Sequence, residues 1–108
     1  MSEEIAGKQA EPWPTQLRLT DEGRLLTITF DSGEVFALSS RRLRVATPSA
    51  EARRLSPAER EAQVGGRQVK IVEIEQVGNY AIRPTFDDGH STGIFTWVYL
   101  AQLGREAK

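Results

Sequence analysis

Residues 77–104, VGNYAIRPTFDDGHSTGIFTWVYLAQLG, decide the fold. From Tyr80 to Phe86 the side chains alternate, with Tyr80, Ile82, Pro84 and Phe86 on one face and Ala81, Arg83 and Thr85 on the other. A period of two over this length predicts a half-buried strand. Pro84 has no amide hydrogen for a sheet ladder, which predicts an edge position or a bulge there. Val77-Gly78-Asn79 before the strand and Asp87-Asp88-Gly89-His90 after it read as turns, because Gly and Asn accept positive φ and Asp bonds nearby amides. Thr92 to Phe95 is short and extended. Thr96 is placed to cap a helix through Leu103, with Trp97, Leu100 and Ala101 on its inward face and Gly104 as its stop.

Outward from this unit the chain repeats the same grammar. Leu17 and Leu19 alternate in a first strand, Leu26, Ile28 and Phe30 in a second, and Val35 to Leu38 form a third, with turns at Asp21-Glu22-Gly23 and Asp31-Ser32-Gly33. The simplest assembly is a meander. Ser39 or Ser40 caps a short helix that carries Leu43 inward, stopped before Pro48. Residues 47–66 are the weakest region, with helical turns over Ala50 to Leu55 and Pro57 to Gln63, the second started by Ser56-Pro57. Gln68 to Gln76 carries two apolar series, which predicts a central strand buried on both faces and paired with Tyr80 to Phe86. Thr29-Phe30-Asp31-Ser32-Gly33 echoes Thr85-Phe86-Asp87-Asp88-Gly89, and each is followed by a short apolar piece, a hydroxyl cap and a helix, so two similar halves are compatible with the pattern. The expected fold class is α+β: a small two-layer domain with a mostly antiparallel sheet of about five to six strands and two or three short helices. Residues 1–12 are expected to be a disordered tail and 13–105 the domain.

With 108 residues, one modest core is within reach. The chain has no cysteine, which removes disulfides, thiolate nucleophiles and cysteine-based metal sites. No apolar run approaches a membrane span and no cleavable leader opens the chain, so a cytoplasmic address is expected. The net charge of -1 gives no global attraction to nucleic acid. Between Ser39 and Lys70, however, eight basic residues face three acidic ones. Arg41, Arg42, Arg44 and Arg53, together with the Asp88 turn and the partly exposed Trp13, are therefore the candidate surface for a protein partner. His90, the sole histidine, with Asp87 and Asp88 forms the alternative site for a metal or small ligand. A packed turn histidine is the plainer reading, since one imidazole and two flexible carboxylates are a thin coordination set. Asp31 with Asp87 and Asp88 would make an acid–base pair only if the two halves faced each other, and Ser91 beside His90 makes no triad. Tyr80 and Tyr99 are read as core aromatics with satisfied hydroxyls.

Taken together, Leu43-Arg44, Pro48-Ser49-Ala50-Glu51, Val77 to Ala81, Asp88-Gly89-His90, Thr92-Gly93-Ile94-Phe95 and Trp97-x-Tyr99-Leu100 resemble the gamma-butyrobetaine hydroxylase-like N-terminal domain family, over about Pro14 to Gly104. The resemblance implies a small α+β domain, found alone in bacteria or fused to oxygenases using iron and 2-oxoglutarate or to P-loop ATPases with iron–sulfur clusters. It also implies a structural zinc held in the oxygenases by three cysteines and a histidine, which would fall at Thr47, Ser49, Ala52 and His90. Three of these four cannot act as thiolate or imidazole donors, so no zinc and no other cofactor is expected. The catalytic barrel is missing, and no Gly-x-x-x-x-Gly-Lys loop occurs. The expected function is a non-enzymatic adaptor for iron–sulfur or iron-oxygenase redox proteins, either a monomer or a weak homodimer.

Overall fold

The computed structural model describes residues 12–49, 53–66, 68–91 and 93–106. The expected N-terminal tail falls almost wholly outside these residues, as does Ala52. Six strands and three helices follow in the order β1 (Pro14–Thr20), β2 (Leu25–Phe30), β3 (Val35–Ser39), α1 (Ser40–Val45), α2 (Pro57–Val64), β4 (Ile71–Val77), β5 (Ala81–Phe86), β6 (Phe95–Thr96) and α3 (Trp97–Glu106). They form two antiparallel sheets, β1-β2-β3 and β4-β5-β6. A small α+β domain is therefore what the chain builds.

The local reasons are those the residues supply. Ser39 accepts from the Arg42 amide and starts α1. Ser56 and Glu59 form a reciprocal capping box ahead of Pro57 in α2, and the Thr96 hydroxyl accepts from the Tyr99 amide. Leu26, Ile28, Phe30, Leu43, Ile82, Phe86, Phe95 and Leu100, from both sheets, α1 and α3, are at most 1% exposed and belong to one core. Each contributes about 1.5–3 kcal/mol by leaving water.

The two halves match in backbone detail. In the first, the Phe30 amide bonds Glu34 O (2.9 Å), the Gly33 amide bonds Phe30 O (2.9 Å) and the Asp31 amide bonds Trp13 O (2.8 Å). In the second, Phe86 bonds His90 O (2.9 Å), Gly89 bonds Phe86 O (2.9 Å) and Asp87 bonds Lys70 O (2.8 Å). Gly33 and Gly89 take φ of 95° and 92°, values that favour glycine. The first residue of each following helix bonds the carbonyl just ahead of the central strand, Ser40 to Arg24 and Trp97 to Tyr80. Even the register shifts correspond, between Pro14 and Gln16 in β1 and between Ile71 and Glu73 in β4.

Four expectations change. The strand from Ile71 is an edge strand with most side chains exposed, not a central one. β5 is the central strand, but β6 pairs only with Ala81 and Ile82, so Pro84 lies beyond its reach and no ladder bond on that side is lost. Gly104 does not stop the last helix, which continues to Glu106. Its missing side chain makes room for Phe36, whose ring a Cβ would strike. Tyr80 sits in the turn, 52% exposed, rather than in the core.

Candidate functional site

Two groups of residues were candidates on sequence, and the structure separates them and adds a third feature. The first is the corner built by the end of α1 and the Asp87–His90 turn. The Thr47 hydroxyl and His90 Nε2 share a hydrogen bond of 3.1 Å. Thr47 is 1% exposed and Ser49 is buried as well. Beside them Arg44 Nε donates to Asp88 Oδ2 at 2.9 Å, with side chains only 9% and 11% exposed although the Asp88 backbone lies at the surface. Asp88 Oδ1 accepts from the His90 amide, and Asp87 Oδ1 from the Lys70 amide. The two aspartates thus act as turn and anchor groups.

Thr47 and His90 therefore meet, as the zinc positions implied by the family resemblance require. Two zinc ligands with metal bonds of about 2.0 and 2.3 Å lie roughly 3.5 Å apart in a tetrahedron, close to the spacing seen here. The donors themselves do not fit. Hydroxyls are poor zinc ligands beside thiolates, and among the described residues no three His, Cys, Asp or Glu side chains gather around a common point.

The second group is the basic segment. Arg41 donates to Gly65 O and pairs with Glu61, tying α1 to α2. Arg42 donates to Leu103 O at 2.9 Å and meets Glu106 at 3.5 Å, tying α1 to α3. Arg44 is held by Asp88. Arg53 is exposed and, with Arg60 and Tyr99, lines a pocket of about 340 Å³. Tyr99 donates to Ala46 O at 2.6 Å. Burial holds its phenol above the usual 10.0, against the lowering pull of the Arg60 guanidinium.

The third feature is a groove of about 530 Å³ between the two sheets. One wall is β1 with Leu17 and Leu19, backed by Leu26 of β2; the other is Ile74 and Gln76 of β4, backed by Ile82 of β5. These are matching positions of the two halves, because Leu19 pairs with Leu26 as Gln76 pairs with Ile82. Trp97 closes the floor and donates its indole N–H to Asn79 O at 3.0 Å. Trp13, 51% exposed, stands at the mouth, its carbonyl fixed by the Asp31 amide at 2.8 Å. Among the described residues no charged side chain lines the groove.

Trp13 was legible as a partly exposed residue. Leu17 and Leu19 were not, because their alternation reads as an inward face, yet they are 38% and 39% exposed. The available signal was Gln76, a polar residue on the same strand face as Ile74, which marks a wall that faces water.

Comparison with known proteins gives a consistent answer. A family model described as gamma-butyrobetaine hydroxylase-like, N-terminal, matches residues 17–101. The chain is similar to a protein of unknown function from Acidithiobacillus ferrooxidans, assigned to the DUF971 family. The two are 34% identical over 84% of this chain and 91% of that one, with a TM-score of 0.69. Two proteins with NMR solution structures are also similar. One is 37% identical over 90% of this chain and 72% of its own (TM-score 0.68); the other is 34% identical over 89% and 75% (TM-score 0.70). No curated protein matches the chain. With a family model matching most of its length, the chain belongs to the gamma-butyrobetaine hydroxylase-like N-terminal family.

Proposed function

We propose that the chain is a non-enzymatic binding module whose inter-sheet groove receives a segment of a partner protein. The observation that carries this reading is the groove itself, a cleft of mixed apolar and amide lining, without charge among the described residues, and with a half-exposed tryptophan in its wall. Such a lining offers orientation and desolvation rather than acid–base chemistry. The partner proposed is an iron–sulfur or iron-oxygenase redox protein, which follows from the fusions that the family resemblance implies. A cytoplasmic setting belongs to the same proposal. Among the described residues no helix is long and apolar enough to cross a membrane.

The reading centred on His90, Asp87 and Asp88 has less support, since the imidazole Nε2 is shared with Thr47 and the carboxylates hold Arg44 and the turn amides. The test is cross-linked recovery of the tagged protein from its own cells, comparing wild type, Leu17→Glu and Arg53→Glu. Loss of a reproducible partner in Leu17→Glu but not in Arg53→Glu is expected. The reverse pattern moves the docking face to the basic segment.

A further inference from the structure

We propose that the pocket bounded by Arg53, Arg60, Thr96 and Tyr99 binds the phosphate of a small organic phosphate monoester. This site shares no lining residue with the inter-sheet groove and is independent of the docking role proposed there. Among the described residues every arginine and lysine pairs with a carboxylate except Arg18, Arg53, Arg54 and Arg60. Arg18 and Arg54 are exposed. Arg53 and Arg60 instead line one pocket of about 340 Å³, and no described carboxylate lines it with them. Two unmatched guanidiniums in a concave site focus a positive potential, which draws an anion.

The donors are partly fixed in advance. Arg60 is half-buried, with Nη1 donating to Thr47 O at 3.2 Å and Nε to Leu55 O at 3.5 Å. Neutral carbonyls hold the side chain without cancelling its charge, and Nη2 has no acceptor among the described residues. Burial raises the Tyr99 pKa, while Arg60 and Arg53 both pull it down, so the two charges are felt at one phenol. The Thr96 hydroxyl accepts from the Tyr99 amide and keeps its own hydrogen to donate. A single carboxylate matches one guanidinium fork. A phosphate monoester carries about −1.5 to −2 charges at pH 7 and three terminal oxygens, enough for both guanidiniums and the Thr96 hydroxyl. Pro48, Ile94 and the Tyr99 ring give the remaining walls an apolar character suited to the organic group.

The experiment is titration calorimetry of the full chain with phenyl phosphate, alongside inorganic phosphate and glutarate, at neutral pH and fixed salt. Phenyl phosphate should bind at a single site and more tightly than either of the other two. Arg53→Ala and Arg60→Met should each weaken it about tenfold or more. Arg18→Ala, which removes an exposed unpaired arginine outside the pocket, should leave the affinity within about twofold. Arg60→Met also gives up two carbonyl contacts, so its thermal melt is recorded beside the titration. If that variant is unfolded, Arg53→Ala, altered at an exposed side chain, decides the matter. Equal losses in Arg18→Ala and Arg53→Ala would mean diffuse attraction and overturn the site. Glutarate binding as tightly as phenyl phosphate overturns the phosphate assignment, and inorganic phosphate doing so overturns the role given to the apolar walls. No binding of phenyl phosphate up to about 10 mM overturns the proposal outright.

Discussion

The carboxylate of Asp88 divides its oxygens between the Arg44 guanidinium and the His90 amide, and both side chains of the ion pair are close to fully buried. Removing one member leaves the other charge desolvated and alone. Asp88→Ala is therefore expected to lose about 3–5 kcal/mol in urea unfolding. A loss within about 0.5 kcal/mol of wild type would show that water reaches Arg44 freely. Tyr99 makes a gentler case. Its neutral phenol donates to Ala46 O, so Tyr99→Phe should cost about 1 kcal/mol at neutral pH. Because folding raises this pKa, the associated stability is complete below the unfolded value of 10.0 and fades as pH climbs through the higher folded value. Alkaline melts should show wild type losing stability at high pH more steeply than Tyr99→Phe; parallel curves would contradict the burial argument. The Thr47–His90 contact supports a third test. Thr47→Cys, Ser49→Cys and Ala52→Cys in one chain should bind zinc in metal analysis, and His90→Ala in that background should abolish it.

At the scale of elements, the helices brace the two halves against each other. α3 of the second half lays Gly104 under Phe36 of the first, and the end of α1 in the first half lays Thr47 against Gly93 of the second. Each crossing pairs a glycine with a larger side chain. Gly104→Ala would gain roughly 1 kcal/mol of helix propensity, yet the clash with the Phe36 ring should make it a net loss of about 1–3 kcal/mol. Phe36→Leu in the same chain should recover part of that loss, and strict additivity in the double-mutant cycle would mean that the two do not meet. These crossings also explain what was legible. Strands, caps and turns follow from neighbouring residues, so the Ser39, Ser56 and Thr96 caps and the Asp-x-Gly turns could be read directly. Gly104 looked like a helix stop because only a residue distant in sequence reveals why a glycine is needed there. The sheet order was misread at Val69, Ile71, Val72 and Ile74 for a related reason. A doubly apolar strand suggests burial on both faces, whereas Val72 occupies an irregular position and is 60% exposed. The groove was hidden because its walls come from two sheets whose mutual placement no local pattern records.

For the whole molecule, one core spans both halves, and the cations of α1 reach α2, α3 and the Asp88 turn. Unfolding followed by tryptophan fluorescence and by far-ultraviolet circular dichroism should give superimposable transitions. Separate midpoints would reveal halves that melt independently. The crossings at Gly104 and Gly93 carry a further consequence. Since each half is completed by contacts from the other, peptide continuity near residue 66 is not what holds the two together. Two polypeptides cut near Gly66 should each be largely unfolded alone and should reassemble on mixing, with the protein reconstituted as a non-covalent complement of its own two parts.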